Sequence, residues 1–145
     1  MYFVDRQKIE QLLIYLEKQL TLFEGNKNWD DQLLALSLER IIQTSIDSVL
    51  DVGNAMIDGF IMRDPGSFED IIDILLDENV ITESDSVQFK NTLPLRKNLV
   101  QEYTDPALSD HLAVFGENLD AFKKYPDAIR QYLNSQLGPV SAFKN

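Results

Sequence analysis

Apolar residues recur at steps of three and four along almost the whole chain, and this spacing limits the fold more than any other feature of the sequence. The pattern follows the period of an amphipathic helix over residues 5–23, where Gly25 and Asn26 end it, and again over residues 34–60. The second segment is long enough for about eight helical turns. No segment alternates with a period of two over the length of a strand, and no internal repeat is present. The sequence therefore predicts an all-α fold.

Local signals divide the second half of the chain into shorter helices. Ser67, with Asp70 three residues later, is typical of a capping box and predicts a short helix that ends near Glu78. Thr82, which precedes an acidic stretch, predicts the next helix start. Pro94 lacks an amide hydrogen and crowds the preceding turn, so this helix is expected to kink or restart there.

The remaining segments complete a bundle. Residues 95–101 are expected to form a short helical stretch, and one long last helix is predicted over about residues 107–133, followed by a frayed tail at 137–145. Helices of these lengths, joined by short turns, bury their apolar stripes in an up-and-down bundle of four or five helices. Gly53 lowers the helix propensity of the long second helix by ~1 kcal/mol relative to alanine, which indicates a close approach by a neighbouring helix.

The composition indicates one domain. The chain has 145 residues, 44% of them hydrophobic, which suffice for one core but not for two, so residues 1–145 are expected to form a single helical domain. The absence of cysteine excludes disulfides and thiolate metal sites. No signal-like or membrane-spanning apolar stretch is present, and we therefore expect a soluble protein in the cytoplasm.

The acidic excess bears on the ligands that the protein can bind. Thirteen basic and 24 acidic residues give a net charge of −11, which repels a polyanion such as RNA at long range. An RNA ligand would therefore need a local positive site, for which Lys90, Arg96 and Lys97 are the nearest candidates in sequence. The alternative is that these three residues are solvated surface charges.

The sequence lacks the signatures of most enzyme classes. It has no Gly-rich phosphate loop, no paired histidines at metal-ligand spacing and no nucleophile elbow, so no metal or cofactor is expected. The single histidine, His111, lies beside Leu112 in the last predicted helix. A half-buried or surface histidine is favoured there over a catalytic one, because no orienting partner is evident.

The segment from Arg96 to Tyr103 resembles the signature of HepT-like proteins of the HEPN superfamily. That signature is an arginine, four residues, a histidine, one residue and a tyrosine, and here Gln101 occupies the histidine position. The flanking sequence is similar as well, with Leu-Glu-Arg at positions 38–40 near the start of the second helix. The resemblance covers most of residues 30–125.

The resemblance implies a homodimeric helical bundle. Two motif copies would face one another across the dimer and form a composite site for metal-independent RNA cleavage. In such a site the arginine binds the scissile phosphate, a role that suits the planar guanidinium of Arg96. The alternative for Arg96 is a surface salt bridge. Lys97 stands where the family usually has asparagine and Asn98 follows it, which makes both residues possible phosphate contacts.

The substitution at position 101 bears on catalysis. A carboxamide does not exchange protons near neutral pH, so Gln101 cannot perform the acid–base role that the family assigns to the histidine. Such catalysis typically contributes about 10²–10⁴ in rate, and cleavage by this route should fall accordingly. Glu102 is adjacent but is expected to point elsewhere.

Tyr103 aligns with the tyrosine that a partner nucleotidyltransferase antitoxin adenylylates in HepT-like toxins. On an ideal helix it would return to a position nearly above Arg96. Three interpretations stay open: a ribonuclease of a toxin–antitoxin pair, a non-catalytic dimer that binds RNA, a nucleotide or a protein through the same cleft, and a purely structural bundle.

Overall fold

The computed structural model describes residues 2–138, which form six α-helices and no strand. The helices are α1 (Arg6–Gly25), α2 (Gln32–Gly59), α3 (Phe68–Asp77), α4 (Glu83–Gln101), α5 (Leu108–Glu117) and α6 (Leu119–Leu137). The all-α class is confirmed, and six helices replace the four or five predicted. None of these helices combines the length and the apolar character needed to cross a membrane.

The sequence predicted one long last helix, but the helix breaks at Asn118 and forms α5 and α6 instead. The backbone of Asn118 leaves the helical region, with φ −110° and ψ 14°. Its side-chain Nδ2 donates to the carbonyl of Val114 at 2.8 Å, and its Oδ1 accepts from Nδ2 of Asn91 in α4 at 3.0 Å. These bonds compete with the helical pattern and end α5, because an asparagine side chain can replace backbone partners.

Helix α2 lies at the centre and contacts all five other helices. The largest side chains withdrawn from water are Ile9, Leu13, Leu16, Leu38, Ile42, Ile46, Met56, Ile57, Phe89, Phe115, Phe122 and Tyr125. They come from α1, α2, α4, α5 and α6, so burial of these apolar faces holds the bundle together. Phe89 also packs edge-on against Phe122 and Tyr125, which joins α4 to α6.

Gly53 permits a close approach of α3 to α2, as its position in α2 predicted. A Cβ atom added there would lie 2.6 Å from Cγ2 of Ile71 and 3.3 Å from Cδ1 of Leu75, both in α3. Since such distances are shorter than ordinary carbon contacts, only a residue without a side chain lets α3 pack at this depth.

The predicted helix starts are confirmed, with one difference in detail. Thr82 and Asp85 form a reciprocal capping box at the start of α4. Ser67 caps α3 by accepting from the amide of Asp70, but the Asp70 carboxylate turns to the amide of Gly66 and to Arg63 instead of completing the box. The guanidinium of Arg63 therefore competes successfully for this carboxylate.

Helix α4 continues through Pro94, which contradicts the expected restart at residue 95. The side chain of Pro94 is exposed, so its ring faces water, while Leu95 and Leu99 beyond it are buried. Burial of these two leucines offsets the single backbone hydrogen bond that proline removes.

The two ends of the described chain are tied together. Arg130 of α6 forms paired hydrogen bonds with Glu10 and Glu17 of α1, at 2.7–3.0 Å. Arg6 at the start of α1 donates to the carbonyl of Gly138 at 2.8 Å. Leu137 still belongs to α6, and residues 139–145 of the predicted tail lie outside the described residues.

Candidate functional site

Arg96 is held between two other helices. It lies on α4, and its Nε donates to the carboxylate of Asp47 on α2. Its guanidinium carbon lies 4.7 Å from the ring centre of Phe68, the first residue of α3. The side chain is only about a quarter exposed, so a charged pair and an aromatic face fix the orientation of the guanidinium.

The terminal nitrogens of Arg96 keep their hydrogen-bonding capacity. A guanidinium has five N–H donors, and Nε uses one of them for Asp47. Within residues 2–138, Nη1 and Nη2 form no hydrogen bond with the protein. The fork-shaped end of Arg96 can therefore bind a phosphate group without first releasing Asp47.

The charges around Arg96 are mixed. Burial and the neighbouring Asp47 carboxylate raise the pKa of Asp51, while the positive charges of Lys8 and Arg96 act in the opposite direction. Two carboxylates and two cations thus lie close together on this side of the protein. The site offers directed donors to an anion, but it is not a broad positive surface.

Asn98 and His111 are brought together by α4 and α5. The imidazole Nε2 lies 2.6 Å from the carboxamide Oδ1 of Asn98. His111 is buried, deeper than the half-buried position expected from the sequence. Burial lowers its pKa, against the opposing influence of Asp110 and Glu39, so the ring is neutral at physiological pH. The histidine therefore contacts the motif through Asn98.

The other two basic candidates differ in their surroundings. Lys90 forms an ion pair with Asp73 of α3 at 2.5 Å, which makes it a surface salt bridge. Lys97 is exposed and has no ion-pair partner among residues 2–138. Of the three, Lys90 is engaged by a carboxylate at its ammonium group, while Arg96 and Lys97 retain free donors.

Gln101 and Tyr103 lie at the end of the motif. Helix α4 ends at Gln101, which is exposed, and the capping residue Glu102 has φ −111° and ψ 41°. Tyr103 follows in a turn and is 70% exposed. The helical stacking of Tyr103 above Arg96 was therefore a wrong prediction, because the helix ends two residues earlier.

The sequence singled out Arg96 as a candidate but did not indicate the residues that hold it. Asp47 and Phe68 are 49 and 28 positions away, and only the packing of α2 and α3 against α4 brings them close. Phe68 carries one signal in the sequence, since it is an apolar residue directly after the predicted cap Ser67, and in the structure it remains 47% exposed. Among residues 2–138, no three histidine, aspartate or glutamate side chains cluster closely enough to hold a metal ion.

The similarity to known proteins extends over all residues of the candidate site. The family model for HepT-like ribonucleases matches residues 6–129. YutE of Bacillus subtilis (strain 168), a candidate RNase, is 47% identical over 144 residues, which cover 99% of this chain and 100% of YutE. The solved structure of YutE, described as a cytosolic protein of unknown function, superposes with a TM-score of 0.93 at 45% identity, covering 96% of this chain and 97% of YutE.

Two more distant structures share the fold. One is a toxin–antitoxin complex with AMP-PNP, with a TM-score of 0.71 and coverage of 86% of this chain and 96% of that one. The other is a tri-AMPylated HEPN toxin of Shewanella oneidensis in complex with its MNT antitoxin, with a TM-score of 0.70 and coverage of 86% and 95%. Each is 21% identical to this chain, and the superpositions establish a common helical architecture.

Proposed function

This chain belongs to the family of HepT-like ribonucleases, and on that premise we propose that it acts on RNA through Arg96, as the toxin component of a toxin–antitoxin pair. The observation that carries this proposal is the fixed guanidinium, with Nε on Asp47 and both terminal nitrogens free. A phosphodiester has two non-bridging oxygens that match this fork. Like YutE, the protein is proposed to work in the cytoplasm.

In the proposed reaction Arg96 stabilises charge on the phosphate. The ribose 2′-oxygen forms a bond to phosphorus, the bond from phosphorus to the next 5′-oxygen breaks, and the products are a cyclic phosphate and a 5′-hydroxyl. The 2′-hydroxyl proton is lost, and the leaving oxygen gains one. Donors already aimed at the equatorial oxygens favour the crowded transition state, because they need no reorganisation when its charge develops.

Proton transfer is expected to limit the rate of this reaction, because the Gln101 carboxamide can neither accept the 2′-hydroxyl proton nor protonate the leaving oxygen. His111 is not a ready replacement, since its Nε2 is engaged by Asn98 and its ring is buried. We therefore expect slow cleavage in which water serves as proton acceptor and donor. The lack of a side chain suited to proton transfer also supports a second candidate function, a non-catalytic module that binds RNA at Arg96.

A second copy of the chain completes the proposed site. A homodimer would place two motif ends, each with Arg96 and Lys97, on one RNA strand. Two such pairs would raise the local positive charge above that of one subunit, where Asp47 and Asp51 lie beside Arg96. Analytical ultracentrifugation tests whether the chain forms a dimer, and a monomer at micromolar concentration would argue against a composite site.

Tyr103 is the proposed target of a nucleotidyltransferase antitoxin. The related Shewanella toxin is tri-AMPylated in complex with its antitoxin, and the side chain of Tyr103 is mostly exposed. In the transfer, the tyrosine oxygen would bond to the α-phosphorus of ATP, pyrophosphate would leave and the phenolic proton would be lost. Intact-mass measurement after incubation with the antitoxin and ATP tests this, with Tyr103→Phe as the unmodified control.

The deciding experiment measures cleavage and binding of labelled tRNA and mixed RNA in the presence of a chelator. It compares the wild type with Arg96→Ala, Gln101→His and Lys123→Ala, which removes one exposed positive charge on α6. Lys123→Ala should behave as the wild type. Cleavage that disappears in Arg96→Ala supports the nuclease, whereas binding without cleavage, with activity gained in Gln101→His, supports the second candidate. Absence of both binding and cleavage from the wild type contradicts both.

A further inference from the structure

Phe68 exposes an aromatic ring directly beside the proposed phosphate site. It is the first residue of α3, where the next two residues are the acidic Glu69 and Asp70. One part of the ring is covered by the Arg96 guanidinium at 4.7 Å, yet the residue remains 47% exposed. The uncovered part of the ring therefore lies at the surface beside the guanidinium, where a planar group can stack on it.

We infer that Phe68 and Arg96 form a subsite for one nucleotide of single-stranded RNA, with the phosphate on Arg96 and the adjoining base stacked on Phe68. The inference rests on the proposed RNA-directed function and specifies how the strand is held. The guanidinium and the ring lie within the span of a single nucleotide, in which one ribose joins phosphate and base. Bases stack on exposed aromatic rings in many proteins that bind single strands.

The chemistry selects unpaired RNA. In a duplex both faces of a base are covered by its neighbours, so a ring can stack only on a base that has been freed. Stacking is also suited to this acidic chain, because it does not depend on long-range attraction between opposite charges. With a net charge of −11, the protein needs a source of affinity that does not come from its overall field.

The competing role for Phe68 is that of a positioning residue, which only orients Arg96. The two roles lead to different expectations for a strand that has no bases. If Phe68 only orients Arg96, its loss weakens binding to the phosphate backbone equally, whether or not bases are present. If its ring also stacks on a base, its loss weakens binding most to the strand that carries bases.

The test measures fluorescence anisotropy with two probes, a short oligoadenylate and an abasic ribose-phosphate oligomer of the same length. The variants are Phe68→Leu, Phe68→Trp and Arg96→Ala, with Phe3→Leu as the matched control. Phe3 is another exposed phenylalanine, and its amide donates to the carbonyl of Gly59 at the end of α2, 12 residues beyond Asp47. Thermal melting of each variant verifies folding before binding is measured.

We expect Phe68→Leu to weaken oligoadenylate binding by about 5- to 100-fold, because one base stack is lost, and to weaken abasic binding far less, because Asp47 still orients the Arg96 guanidinium. Phe68→Trp should retain or improve oligoadenylate binding, and Phe3→Leu should match the wild type. An equal loss for both probes, or no loss for either, overturns the stacking role while Arg96→Ala still reports on the phosphate site. If the wild type binds neither probe, the proposed function fails as well.

Discussion

At the scale of single residues, the contact between His111 and Asn98 links the motif helix to α5. The two side chains lie 2.6 Å apart, and burial holds the histidine in its neutral form. An imidazole with a lowered pKa binds its proton less readily in the folded protein than in the unfolded chain. Folding stability therefore falls when the pH drops below about 6.5, where the unfolded chain takes up the proton first.

We predict that His111→Gln flattens this pH dependence. Glutamine can keep a hydrogen bond to Asn98 but does not titrate, so its free energy of unfolding should change less than that of the wild type between pH 7.5 and about pH 5.5. Urea denaturation across this range provides the measurement. Parallel curves for the two proteins would show that His111 does not contribute to the pH dependence.

At the scale of helices, the packing of α3 on α2 depends on Gly53. Alanine would improve the helix propensity of α2 by about 1 kcal/mol, but its Cβ would collide with Ile71 and crowd Leu75. Overpacking of this kind costs about 1–3 kcal/mol. We therefore expect Gly53→Ala to lower the free energy of unfolding despite the better helix former.

Gly116→Ala is the matched comparison for Gly53→Ala. Gly116 lies in α5, and a Cβ atom there would meet nothing within 4 Å. The same substitution should therefore raise the free energy of unfolding by about 0.5–1 kcal/mol, because only the propensity changes. Chemical denaturation of both variants decides the point, and effects of the same sign would refute the packing argument.

Local signals predicted the helices well and their contacts poorly. The apolar period located α1 and α2, and Ser67 and Thr82 marked the starts of α3 and α4, because these signals act within one turn of the chain. The break at Asn118 was missed, since it depends on a bond to Asn91 in another helix. The candidate site follows the same rule: the motif indicates Arg96 as a candidate, whereas the contacts of Arg96 with Asp47 and Phe68 arise only on folding.

At the scale of the whole molecule, Arg130 joins the first and last helices. Its hydrogen bonds lower the pKa of Glu17, so the folded protein holds this carboxylate ionised to a lower pH than the unfolded chain does. The resulting stability is present above pH ~4.5 and is lost as the pH falls through the lowered value. Solvent screens this half-exposed network, which limits its contribution to about 0.5–1 kcal/mol.

We predict that Arg130→Met lowers the free energy of unfolding at pH 7 by about 0.5–1 kcal/mol. Methionine keeps the apolar part of the side chain, so the loss reports mainly on charge. The difference from the wild type should shrink as the pH falls below 4.5 and through the lowered pKa of Glu17. A difference that stays constant over this range, measured by thermal melting, would assign the effect to packing instead.

The end of α4 at Gln101 also determines what a histidine there could do. Position 101 lies among the last, unpaired carbonyl groups of the helix, whose aligned peptide dipoles present partial negative charge. In a molecule of net charge −11, both fields favour a protonated ring. We expect the new imidazole of Gln101→His to titrate above 6.5 and His111 below it, as two resolved NMR transitions. The restored motif would then supply an acid ready to protonate the leaving oxygen, and a new ring that titrated below 6.5 would contradict the effect expected from the helix end.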